Sequence, residues 1–410
     1  MAPLRIRVRG FLAFERFHSF SEKGCGVQTT TRIGAVAAMA LTATGIWTGT
    51  ASAAQPRPCC LEAGIGQVVF AQTDATTGNQ VVAYRRADDG QLTRLAAYDT
   101  GGLGGVLDGS VVDHLASQGS LAYDAHNKLL YAVNAGSNTV SVFAVYGDLL
   151  QLRQVVRSGG TFPVSVAVHG NVVYVLNATG GGSIQGYSVA DGRLDPHPAW
   201  HRPLGLDPNA TPQFTNTPGQ VGFANRGRKL IVTTKANGNN VDVFALDEHG
   251  APAPAPVVTN LPGAVPFAFV TDEKTGRLAL TEAGPNAVAT FTVNDDGTLT
   301  PLHTAATGQA ATCWITAVGD EVYASNAGSG TVSIFHVGPD GSLQPVGTTP
   351  TPTDPGTVDS AASADGRYLY VQTGATGTLD AFRINPDGTL TKIGAELVPN
   401  AVGGEGVVAS

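Results

Sequence analysis

Charge is scarce in this 410-residue chain: 14% of residues are charged, with 24 Lys and Arg against 32 Asp and Glu. A nucleic-acid partner needs a basic face, and this balance excludes one. Methionine is almost missing, and both copies, Met1 and Met39, lie in the first 40 residues. Cysteine is nearly as rare. Beyond Cys25 there are the adjacent Cys59 and Cys60 and a distant Cys313, with no zinc-site spacing, so one structural disulfide or none is expected, and no metal or cofactor. No apolar run reaches the roughly 20 residues that cross a bilayer, so no membrane span is expected.

The longest such run, "IGAVAAMALTATGIW" (33–47), follows Arg32 and precedes the small residues Ala51, Ser52 and Ala53. That is the layout of a secretory signal. Residues 1–54 read as a leader cleaved near Ala53 or Ala54, with translation starting nearer Val27 and a secreted product; residues 55–65 read as a tail. Without the leader, 18 basic residues face 30 acidic ones, a formal charge of −12.

What the chain has in abundance is glycine, 52 residues, with 24 prolines and no collagen-like period, so many turns and short strands are expected. It also repeats itself. "NAGSNTVSVF" (134–143) and "NAGSGTVSIF" (326–335) share eight of ten letters, and looser copies bring the count to seven. Their common aromatic falls at Tyr84, Phe143, Tyr187, Phe244, Phe291, Phe335 and Phe382, with steps of 44 to 59 residues, the period of propeller blades. Each copy is two β-branched runs around an Asn/Gly/Thr turn, which is a hairpin. "DDG" and "PDG" turns lead to an outer strand, and a small-residue run before each copy after the first supplies an inner one.

Four strands per repeat predict an all-β fold: a single seven-bladed β-propeller over residues 66–410, of four-stranded antiparallel blades. The first copy lacks an inner strand and "GEGVVAS" (404–410) lacks a hairpin, so the chain ends complete one blade together. A sandwich plus a second domain would need a linker, and none is present. Two long insertions, 101–119 and 195–220, read as loops on the ring, where ligands are often met.

The "LYAVNAGSNTVSVF" phrase and the "PDG" turns resemble the lactonase-like seven-bladed propellers, the family around bacterial 6-phosphogluconolactonase and 3-carboxymuconate cyclase. The elements "GGLGG…LASQGSL", "GTFPVSVAVHGNVVYVLNA" and "AATCWI" resemble an exported bacterial branch. The resemblance implies metal-independent opening or closure of a lactone ring, with Arg and His opening inner strands and a Glu after the following strand. Here the Arg-His slots read Gly219-Gln220, Phe267-Ala268, Cys313-Trp314 and Val358-Asp359, and the Glu-like position of the fifth copy holds Glu282. The fourth copy has Thr234-Lys235 there.

If the blades align in this way, Ser120, Ser165, Gln220, Trp314 and Asp359 face the central funnel, with Glu405 on the C-terminal strand, and these together with Gln118 are the candidate ligand contacts. His114, in the long Gly-rich loop, is placed to swing over the mouth as a base beside Glu282. His197 and His201 lie four apart in a Pro-rich loop, without helical ligand geometry; Arg202 beside them is a candidate anion holder. Two functions stand at this point. One is a lactone hydrolase or ring-closing enzyme using Glu282 and His114; the other is a non-catalytic extracellular propeller, a monomer that binds a small molecule, glycan or protein.

Overall fold

The structure is a computed structural model that describes residues 67–347 and 350–410. The leader, the tail, Cys59 and Cys60 lie outside the described residues. Seven antiparallel sheets follow one another. Blade 1 holds Val68–Gln72, Gln80–Arg86 and Leu92–Asp99. Blades 2 to 7 open with the innermost strands Leu121–Asp124, Pro163–His169, Val221–Ala224, Pro266–Asp272, Thr312–Val318 and Thr357–Ala362. Among the described residues no helix is long and apolar enough to cross a membrane.

The repeated phrase is the middle hairpin of each blade. Period-2 alternation puts its aromatic on a buried face, and all seven, from Tyr84 to Phe382, are at most 3% exposed. The "PDG"-type turns serve the ring rather than their own blade. The hydroxyl of Tyr370 donates to Gly90 O, that of Tyr174 to Gly250 O and that of Tyr323 to Gly388 O, in each case onto the neighbouring blade. Gly90 has φ +88°, and a Cβ there would fall 2.2 Å from Tyr368 Cε1, so the turn needs glycine twice over.

The ring closes as the sequence predicts. Val407–Ala409 pairs antiparallel with the first strand, Ala71 opposite Val407 and Val69 opposite Ala409, and becomes the innermost strand of blade 1. One expectation is corrected: the insertion 195–220 is not all loop. Its Arg202–Pro203 pairs with Ser183–Ala190, continuing an outer strand that the turn Pro198–Trp200 interrupts.

Candidate active site at the ring mouth

Antiparallel blades put the starts of the inner strands, and both long insertions, on one face. There residues 103–118 form a strap across the axis. Gly104 N–H donates to Ala75 O in blade 1, Leu103 O accepts from Gly136 N–H in blade 2, His114 N–H donates to Gly403 O before the closing strand, and Gln118 N–H donates to Gly219 O. On the far side, Gln118 bonds Ile315 of blade 6 twice, Nε2 to its carbonyl and Oε1 from its N–H, both at 2.9 Å. The Trp314 indole N–H donates to Ser117 O at 2.6 Å. The approach to blade 7 is so close that a Cβ on Gly374 would lie 1.6 Å from Val112 O.

The predicted funnel residues are therefore fastenings, all buried except the half-buried Gln220. Ser120 Oγ donates to Glu405 O, Ser165 Oγ donates to Gln118 O and accepts from Val221 N–H, and Gln220 Oε1 accepts from Phe269 N–H. Asp359 accepts from Ser360 and Val407 N–H. Each joins an inner strand to its neighbour. Burial pushes Asp359 up to about 7 and Asp74, which accepts from Glu405 N–H, to about 8; Glu405, facing both and Asp113, is raised well above the usual range.

The two predicted catalytic groups are not brought together. His114 is pinned through its backbone at Gly403 and Leu107, its ring lies against Gly403, and burial lowers its pKa. It is part of the strap. Glu282 ends the second strand of blade 5, in an open cleft with Asn260, Leu261 and Pro262, where burial raises its pKa and, among the described residues, no Lys, Arg or His lines the wall. His197 stacks on Trp200 at 4.0 Å, and Arg202 donates to four carbonyls, those of Ala199, His201, Pro252 and Ala253. Both of these side chains hold the blade 3 insertion.

Between the strap and blades 4 to 6 lies a cavity of about 160 Å³. The strap gives Val112 and Asp113, the second long connector gives Phe214, blades 5 and 6 give Phe267 and Trp314, and blade 4 gives Lys235. Lys235 is 1% exposed. Its Nζ donates to Ala116 O and Phe214 O, each at 2.6 Å, and stands 5.3 Å over the Phe267 ring. No carboxylate lies within ion-pair distance of it among the described residues. Burial lowers its pKa to about 7, although the Asp113 charge pulls the other way.

Asp113 is raised by burial to about 6 and held from rising further by the N–H groups of Leu115 and Ser117, at 2.8 and 2.9 Å. Cys313 is a free, buried thiol raised to about 12, so it stays protonated at neutral pH. Four non-glycine residues on the wall, Ala116, Lys235, Val265 and Ala311, hold φ between 49° and 55°. For β-branched Val265 that is a strained conformation, and strain of this kind gathers where a site is held rigid. A larger cleft of about 250 Å³ opens on the opposite face between blades 5 and 6, walled by turn residues such as Asp272, Lys274 and Asp320.

Sequence reasoning missed Lys235 and Asp113 as site residues. The repeats did carry a signal for the first. Lys235 follows the second strand of blade 4 where blades 2, 3, 5 and 6 have Ala135, Ala178, Ala283 and Ala327, and a charge in an alanine's place needs a reason.

Solved structures repeat this architecture at low identity. The periplasmic gluconolactonase of Pseudomonas aeruginosa aligns with TM-score 0.67 and 19% identity over 83% of this chain and 98% of its own. A candidate 6-phosphogluconolactonase from Bacteroides fragilis aligns with TM-score 0.66 and 20% identity over 83% and 98%. No sequence among the curated proteins matches. The sequence model of the family described as "Lactonase, 7-bladed beta-propeller" matches residues 104–403, nearly three quarters of the chain, so the chain belongs to the lactonase family of seven-bladed β-propellers.

Proposed function

We propose that this is an exported, metal-independent hydrolase that opens a ring ester in the mouth pocket, with Lys235 as its base. The observation that carries this is one amine, held by two carbonyls and with its pKa lowered by burial to about 7, in a pocket whose wall is apolar apart from Asp113, Thr215 and Cys313. In this mechanism Lys235 takes a proton from water as the oxygen adds to the lactone carbonyl. The ammonium so formed stands beside the developing oxyanion, and the charge of Asp113 favours it without an ion-pair contact. Collapse breaks the ring C–O bond, Lys235 returns its proton to the leaving alkoxide, and the hydroxy acid releases its acidic proton to solvent.

The membership of the lactonase family supports the reaction type, and the leader-like residues 33–53 support export. A second reading, non-catalytic binding by a monomer, is favoured by the polar inner-strand groups, which are engaged in joining blades. Proton release by the purified mature protein over a panel of lactones separates the two. Turnover that Lys235→Met abolishes is the expected result. No turnover on any ring ester overturns hydrolysis, and loss at Glu282→Gln rather than Lys235→Met moves the chemistry to the outer cleft.

A further inference from the structure

Resting on that reading, we infer that the pocket takes a compact, largely apolar lactone, a single ring with a short hydrocarbon arm or a fused benzene, and not a sugar lactone or its phosphate. Size is the first ground. Apolar cavities of about 150 Å³ hold one benzene-sized ring, and this pocket is about 160 Å³ and open at its mouth. Exposed Val111 edges that mouth and offers an apolar surface for an arm to leave along.

Polarity is the second ground. A hexonolactone carries several hydroxyls, and each one buried without a partner lowers affinity roughly tenfold or more. The wall offers them little. The indole N–H of Trp314 is given to Ser117 O, both Asp113 oxygens already accept backbone N–H bonds, and the Cys313 thiol is a weak partner. The Thr215 hydroxyl already donates to Pro212 O and accepts from Asn216 Nδ2, and Lys235 is committed to the reacting ester. A phosphate fares worse, because no arginine lines the pocket and the Asp113 carboxylate lines it with Lys235.

The alanines fix the size of the chamber. Ala283 and Ala327 occupy, on blades 5 and 6, the place Lys235 takes on blade 4, and all three line the cavity. Repeat geometry therefore aims one amine and two small apolar surfaces at the same space. A ring that reaches Lys235 must lie against the Phe267 and Trp314 pair, which packs edge to face at 4.9 Å with no space between the two rings, and a larger side chain at 283 or 327 takes the space that is left.

The experiment compares dihydrocoumarin and δ-hexanolactone with glucono-δ-lactone and its 6-phosphate. Turnover is read by proton release, and binding by Trp314 fluorescence with the matching lactams, which resist hydrolysis; Trp314→Phe identifies the signal. The expected result is kcat/KM at least 100-fold higher for the two apolar lactones, with lactam binding in the same order. Ala327→Leu fills the chamber without touching Lys235 and should remove both turnover and binding. Ala283→Leu repeats the test, each variant being accepted only if its thermal midpoint is kept. Preference for glucono-δ-lactone or its phosphate overturns this inference and leaves the hydrolase reading standing. Binding of the apolar lactams with no ester turned over does the reverse. Neither binding nor turnover of any compound overturns both.

Discussion

Lys235 is an expensive residue to bury, since an ammonium without a counter-ion costs several kcal/mol unless it gives up its proton. Its two carbonyl partners and the Phe267 ring offset part of that cost in the charged form, which leaves it poised near neutrality. Turnover should therefore rise with pH along a limb centred near 7, as Lys235 loses its proton and gains the ability to accept one. Lys235→Met should remove that limb and lower kcat by about 10²- to 10⁴-fold, the usual worth of a general base. Lys235→Arg tests the same point from the other side. It keeps the charge but holds its proton at every accessible pH, so a rate restored by arginine would reduce Lys235 to an electrostatic role. This residue was half legible in the sequence: its place in the repeat was visible, but not the loops that seal it from water. Asp113 was less legible still, because a lone acid in a Gly-rich loop shows its value only once its partners are placed.

At the scale of elements, the strap decides what the mouth is. Gln118→Ala should leave the Ile315 N–H and C=O without their side-chain partners in a buried setting, and lower stability by about 1–3 kcal/mol. Hydrogen exchange at the Ile315 amide would show whether the strap has lifted from blade 6; an amide as protected as in the parent protein would mean that the strap holds without this clasp. Gly374→Ala probes the other end, where the Val112 carbonyl leaves no space for a methyl. The expected outcome is a displaced strap, a lower thermal midpoint and impaired ligand binding in the pocket that Val112 lines, read by Trp314 fluorescence. The sequence marked 101–119 and 195–220 as the loops to watch, and both do wall the pocket. It did not show their partners. Ser120, Ser165 and Gln220 stand at corresponding places of three blades, and they bond backbone groups on neighbouring strands or the strap, because a one-dimensional pattern does not record what stands opposite.

At the scale of the whole molecule, the repeat made the fold legible because each blade states the same hairpin and a ring of such hairpins has one way to close. What repetition hides is the seam, where the ring is least regular. Blade 1, blade 7, the strap and the closing strand meet there around Asp74, Asp359, Asp113 and Glu405, all buried. Their titration ties ring stability to pH, and the sign follows from the raised values. Burial pushes Asp74 and Asp359 up to about 8 and about 7 in the fold, against 3.8 for an ordinary aspartate, so between about pH 4 and 8 the native state holds protons that the unfolded chain has released. The stability they lend is complete below pH 4 and is lost as pH rises through 7 to 8, each group contributing a slope of about 1.4 kcal/mol per pH unit where its proton difference is full. Lys235, lowered to about 7 from 10.5, works the other way, but only above pH 7. The denaturation midpoint should thus fall from pH 5 to pH 7. Asp359→Asn, which cannot titrate and which turns an N–H toward either Ser360 or Val407, should be less stable at pH 5 and show a flatter slope. A midpoint as steep in the variant as in the parent protein would remove Asp359 from the account, and a midpoint that rises over this range would mean that the seam carboxylates are ionised in the native ring.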